Sequence, residues 1–126
     1  MIELPCMKLA ISGSRNFSDL DFMAKCLDDV IRILGEQCPI TEVWSGGAKG
    51  ADTLAKVAAE RLGLPFHEIK ADWSKYGRAA GPRRNADLVA ECDILAAFPI
   101  GESRGTRGCI QLARRAGKKV FVFESK

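Results

Sequence analysis

Short apolar runs alternate with helical stripes along this chain of 126 residues, and glycine or proline marks almost every junction. Met7-Lys8-Leu9-Ala10-Ile11 stops at Ser12-Gly13-Ser14, the pattern of a buried strand ending in a turn. Leu20, Met23, Leu27, Val30, Ile31 and Leu34 then recur at helical spacing. They predict an amphipathic helix of about four turns, opened by Ser18 or Asp19 and stopped by Gly35. Residues 40–44 read as a second strand, broken by Ser45-Gly46-Gly47-Ala48-Lys49-Gly50. Ala51, Leu54, Ala55, Ala58 and Leu62 then give a second helix, which Gly63 ends.

Residues 66–69, 93–98 and 120–123 complete the strands, and helices are expected over 83–91 and 106–116, the latter closed by Gly117. Residues 70–84 hold Trp73, Tyr76, three arginines, Gly77, Gly81 and Pro82 without a clean period, so they are expected to form a long loop with one helical turn. Strands this short and apolar, alternating with helices, specify right-handed crossovers and a parallel sheet covered on both faces. The fold class is α/β, a three-layer parallel sheet of about five strands with helices on both faces.

The length suits one domain over residues 1–126, and 47% apolar with 28% charged residues excludes global disorder. No stretch approaches ~18 consecutive apolar residues, and no signal peptide is readable, so a cytoplasmic location and no membrane partner are expected. Cys6, Cys26, Cys38, Cys92 and Cys109 are odd in number and lack a C-x-x-C, which favours reduced, mostly buried thiols. With His67 as the only histidine, neither a structural metal nor a cofactor is expected. Residues 1–66 hold 7 Lys and Arg against 9 Asp and Glu, whereas residues 67–126 hold 12 against 7, a surplus of +5. That surplus suits a localised anion site better than a dedicated nucleic-acid binder, although a basic stripe on one face stays open.

Ligands of such sheets bind outside the carboxyl ends of the strands. Three loops qualify: 12–15, 45–52 and 101–106. Glycine in the second lets backbone N–H groups approach a phosphate at the start of a helix, and the third repeats that chemistry beside Arg104 and Arg107. Arg15 either reaches the same site or pairs with Asp19 or Asp21. No Walker A match exists, and Ser45, Gly47 and Gly50 only approximate the dinucleotide fingerprint, with Glu68 at the ribose-acid position. Gly101-Glu102-Ser103-Arg104-Gly105 formally matches the nucleophile elbow, but Pro99 and Ile100 intervene and His67 comes too early, so the match is read as accidental. His67 itself reads as structural.

Ile11-Ser12-Gly13-Ser14-Arg15, then Ser45 to Asp52, then Ala71 to Asn85, and finally Ala97-Phe98-Pro99 with Arg104-Gly105-Thr106 resemble the YspA-like branch of the SLOG superfamily over nearly the whole chain. The resemblance implies a Rossmann-like fold that binds nucleotides or nucleotide-derived ligands in the pocket formed by these loops, and it suggests a homodimer. The superfamily includes the LOG phosphoribohydrolases and the DprA proteins, which bind single-stranded DNA. By similarity, the Gly46-Gly47 and Gly105-Thr106 loops face a phosphate or ribose phosphate.

The LOG pattern P-G-G-x-G-T-x-x-E puts Cys109 where its glutamate stands, and a thiol is no carboxylate, which speaks against LOG-type hydrolysis. Asp52 and Glu102 are left as candidate catalytic carboxylates. The candidate ligand residues are Ser14, Arg15, Gly46, Gly47, Lys49, Asp52, Arg83, Arg84, Asn85, Arg104, Gly105 and Thr106. The expected partner is a phosphate-bearing nucleotide or an ADP-ribose-like molecule. Two alternatives stay open: hydrolysis of an N-glycosidic or phosphoester bond in the same pocket, and single-strand binding through Trp73, Tyr76, Arg78, Arg83 and Arg84. Trp73 stacks on the ligand or plugs the core.

Overall fold

The computed structural model describes residues 7–35, 39–46 and 50–124. In chain order they form β1 (Met7–Gly13), α1 (Leu20–Leu34), β2 (Ile40–Ser45), α2 (Ala51–Leu62), β3 (Phe66–Glu68), α3 (Trp73–Tyr76), a 3-10 turn (Gly77–Ala79), α4 (Ala80–Glu91), β4 (Ile94–Phe98), α5 (Arg104–Arg115) and β5 (Lys119–Val122). The five strands pair in the order β3-β2-β1-β4-β5, every neighbour parallel, as the alternating pattern requires.

Alternation along the strands divides the core in two. Leu9, Ile11, Val43, Ile94, Ala96 and Phe98 pack with Met23 and Leu27 of α1 and with Ala51, Ala55, Ala58 and Ala59 of α2. Ala10, Leu95 and Ala97 face the other way, against Leu88 of α4 and Cys109, Ile110 and Ala113 of α5. Each fully buried leucine on these faces contributes roughly 1.5–3 kcal/mol, so the two layers stabilise the sheet from both sides. Cys26, Cys92 and Cys109 are buried free thiols, while Cys6 and Cys38 lie outside the described residues.

The helix ends follow local chemistry. Asp19, not Ser18, caps α1 by accepting from Phe22 N at 3.0 Å, and Gly63 ends α2 with a left-handed φ of 70°. Several boundaries differ from expectation. The segment 70–84 is irregular only at its start: the expected helical turn is α3, capped by Asp72, but a 3-10 turn follows it directly and α4 already begins at Ala80. Pro82 falls in the first turn of α4, where its missing N–H costs no hydrogen bond, so a residue that looks like a breaker sits inside the helix. Asp93 lies outside β4, because its carboxylate accepts from Lys8 N at 2.9 Å and its own N–H donates to Lys8 O at 2.9 Å.

β1 also runs two residues past Ile11, with Ser12 opposite Ala97 and Gly13 opposite Phe98. The strand order reverses between β1 and β4: the chain leaves β1 toward β2 and β3 and returns to β4 and β5. That switch point opens a crevice above the carboxyl ends of β1 and β4.

Candidate functional site

A cleft of about 390 Å³ occupies the crevice. Ser12 to Asn16 contribute from the end of β1, Gly46 and Asp52 from the β2–α2 turn, Arg84 and Asn85 from α4, and Ser103 to Thr106 from the start of α5. Of the residues expected from sequence, Ser14, Arg15, Gly46, Asp52, Arg84, Asn85, Arg104, Gly105 and Thr106 meet on its walls. Arg83 does not: its guanidinium lies 4.2 Å from the Tyr76 ring centre, on the outer side of α4. Glu102 does not line the cleft either. Its side chain is exposed, and its carbonyl accepts from Arg107 Nε at 3.1 Å. Gly47 and Lys49 lie outside the described residues.

Close approach explains the glycines here. A Cβ on Gly13 would strike Ala51 Cβ and lie 2.9 Å from Phe98 O, so glycine lets β1 and α2 touch. Gly50 has φ 77° and presses on the backbone of Ser14 and Arg15, with Ser14 O only 2.5 Å from where a Cβ would stand. Gly46 leaves room for Arg84, whose Cδ would be 2.7 Å from a Cβ there and whose Nη1 donates to Gly46 O at 3.3 Å.

Two helix N-termini open on the cleft, and they differ in charge. α2 carries Asp52 in its first turn, buried and accepting from Ser45 Oγ at 2.7 Å. Ile11 O lies 3.1 Å from the same Oγ and competes for its single proton, so the serine stands between the carboxylate and the sheet. A carboxylate at that end already meets the helix dipole. α5 has no acidic residue in its first turn and no side-chain cap, so its leading N–H groups face the cleft beside Arg104. Arg15 and Arg84 also line the cleft, and Arg84 Nε is buried without a hydrogen-bond partner among the described residues. Asn85 Nδ2 donates to Gly105 O at 3.3 Å and holds the α5 start against α4.

Asn16, Leu88, Ile100 and Ser103 line the cleft without having been singled out as ligand residues, although Ser103 lies in the expected 101–106 loop. Ser103 precedes α5 at φ 37°, the one positive φ among the described non-glycine residues. Ile100 N donates to Ser14 Oγ at 2.8 Å, and Ser14 Oγ donates to Ser103 Oγ at 2.7 Å. The Ser14 hydroxyl thus joins the backbone after β4 to the Ser103 hydroxyl on the wall of the cleft. The elbow-like spacing was the available signal, but the chemistry differs from an elbow. His67, the chain's only histidine, stacks on Trp44 at 4.6 Å on β3 and faces Glu42 at 3.6 Å, away from the cleft.

Cys109 is fully buried beneath Ser12, and burial pushes its thiol up to about 11. It stays neutral at physiological pH and cannot act as a carboxylate does. Asp52 is the one carboxylate among the described lining residues. The described residues contain no group of three or more His, Cys, Asp or Glu able to hold a metal, and no helix among them is long and apolar enough to cross a membrane.

A second groove of about 340 Å³ runs on from the cleft over α4 and α5, sharing Arg15, Arg84, Asn85, Arg104 and Gly105 with it. Trp73 walls this groove and is 54% exposed, so it does not plug the core.

A family model described as YspA, cpYpsA-related SLOG family matches residues 7–76, which carry the first two loops of the cleft. The chain belongs to this family. The Gene 61 protein of Mycobacterium phage D29 is 34% identical over 126 residues, covering 94% of this chain and 98% of the phage protein. Among solved structures, DNA processing protein A (DprA) of Streptococcus pneumoniae superposes with a TM-score of 0.69 at 23% identity, over 95% of this chain and 51% of that one. DprA of Helicobacter pylori, described by its single-stranded DNA binding mode, superposes at 0.63 and 19% identity, over 95% of this chain and 66% of its own. This SLOG chain thus spans about half to two thirds of the DprA chains whose fold it shares.

Proposed function

We propose that the cleft binds the phosphate of a nucleotide or nucleotide-derived ligand. The observation that carries the reading is the start of α5, without a side-chain cap or an acidic residue in its first turn, in a cleft that Arg15, Arg84 and Arg104 also line. Backbone donors, a helix dipole and planar guanidinium groups converge there, a combination that suits phosphate oxygens. The buried, unpartnered Arg84 Nε is a donor such a ligand would satisfy. Family membership supports the same reading, since the SLOG resemblance implies a nucleotide-derived ligand.

A thermal-shift panel of nucleoside phosphates, ADP-ribose and ribose 5-phosphate tests it, because a ligand at about 100 times its Kd adds about 2.7 kcal/mol. Arg84→Ala is expected to weaken binding by about ten- to hundredfold, the size of a charge-assisted hydrogen bond. Unchanged affinity in Arg84→Ala and Arg15→Ala would remove the site. Hydrolysis, if assayed, is expected to run through Asp52 alone, since Glu102 is outside the cleft and Cys109 is neutral. Turnover that persists in Asp52→Asn would rule that route out.

A second reading is supported by the continuity of cleft and groove. Arg15, Arg84, Arg104 and Arg115 edge one open channel that also contains an exposed tryptophan, a surface suited to single-stranded nucleic acid. The H. pylori DprA likeness favours it. Affinity for a short oligonucleotide should then fall steeply between about 50 and 200 mM salt. No oligonucleotide binding at low salt excludes it.

A further inference from the structure

We infer that the groove beside the cleft is a slot for a planar aromatic ring, the nucleobase of the ligand whose phosphate sits at the start of α5. The inference rests on the phosphate reading and adds what lies at the other end of the ligand.

Trp73 lines the groove and is 54% exposed, on a turn that is firmly built. Asp72 accepts from Lys75 N at 3.1 Å and from Ser74 Oγ at 2.7 Å, which holds its carboxyl below the usual range, the Ser74 hydrogen bond first. The indole also rests against α4, 3.6 Å from where a Gly81 Cβ would stand. An indole fixed in place and left open to solvent is an aromatic platform without an occupant.

Gly105 and Gly108 lie three residues apart on α5, and both line the groove. A Cβ at either would meet nothing within 4 Å, so packing does not explain why α5 carries glycine there. Glycine inside a helix is destabilising relative to alanine, and what it leaves here is open volume facing the cavity. Pro82 and Leu112 complete an apolar lining. The residues shared with the cleft include three arginines, so an occupant is continuous with an anion. An isolated apolar peptide has no use for them. Gln111, on the same wall, offers a donor and an acceptor in one side chain, the pair that reads a base edge.

Calorimetry with ribose 5-phosphate, adenosine 5′-monophosphate and guanosine 5′-monophosphate separates the two ends of the ligand. At least one nucleotide should bind about tenfold tighter than ribose 5-phosphate and quench Trp73 fluorescence, as a base stacked on an aromatic side chain does. Gly108→Leu should erase that advantage, keep ribose 5-phosphate affinity unchanged and raise Tm, because leucine favours the helix and meets open space. Trp73→Ala should cut the same advantage without the gain in Tm. Equal binding of nucleotides and ribose 5-phosphate by the native chain overturns the ring slot and leaves the phosphate reading standing. Nucleotide affinity that survives Gly108→Leu places the base elsewhere and also overturns it. Failure of every phosphate to bind overturns both, and binding of an oligonucleotide alone overturns the mononucleotide assignment.

Discussion

Ser103 holds a left-handed backbone that serine does not favour, and it does so at the mouth of the cleft. Such strain persists where the surroundings over-determine it, and here the Ile100 to Ser14 to Ser103 hydrogen-bond chain does so. Ser103→Gly should therefore raise stability by about 1 kcal/mol while weakening phosphate binding by about tenfold, because glycine accepts the conformation but lacks the hydroxyl. Thermal melts and ribose 5-phosphate titrations measure both, and a fall in stability or an unchanged affinity would refute the relay. Sequence placed both Ser14 and Ser103 in cleft loops but not the positive φ of Ser103, since that conformation in a non-glycine residue has no compositional mark. Arg83 and Arg84 are adjacent and identical in type, yet one stacks on Tyr76 and the other enters the cleft. Only the phase of α4 separates them.

At the scale of elements, the start of α2 depends on close backbone approach at Gly50. Gly50 and Gly63 both have positive φ, but Gly50 presses on Ser14 and Arg15 whereas Gly63 has nothing within 4 Å. Gly63→Ala should cost about 1 kcal/mol, the strain of the left-handed region alone. Gly50→Ala should cost more, about 2–3 kcal/mol, and also displace the first cleft loop. Chemical denaturation distinguishes the two, and equal costs would show that steric contact adds nothing. The α3–α4 region illustrates what periodicity leaves out. Gly77, Gly81 and Pro82 suggest a loop, but a proline in the first helical turn and an aspartate cap build helix from the same residues.

The whole molecule keeps three thiols neutral within its two core layers. Burial raises Cys26 and Cys109 to about 11 and Cys92 to about 12, against an ordinary 9.0. In the unfolded chain these thiols ionise from pH about 9, and in the folded chain they do not until higher pH. Their contribution is complete below pH 9 and is lost as pH rises toward 11 and 12. Denaturation midpoints should drop as pH rises from about 9 toward 11 and 12, and Cys92→Ala should flatten the drop; a level profile in the native chain would contradict these burials. At this scale the division between sequence and structure is plain. Alternating apolar runs and helical stripes were enough to read the α/β class, the five strands and the loops that follow β1, β2 and β4, because hydrophobic period and turn chemistry are local properties. The meeting of Ser14 with Ser103, 89 residues apart, was decided by the sheet, as was the union of four segments around one cleft. Parallel neighbours are joined by long crossovers, so which loops become adjacent depends on strand order, and strand order is an energy of the packed layers that no local pattern encodes.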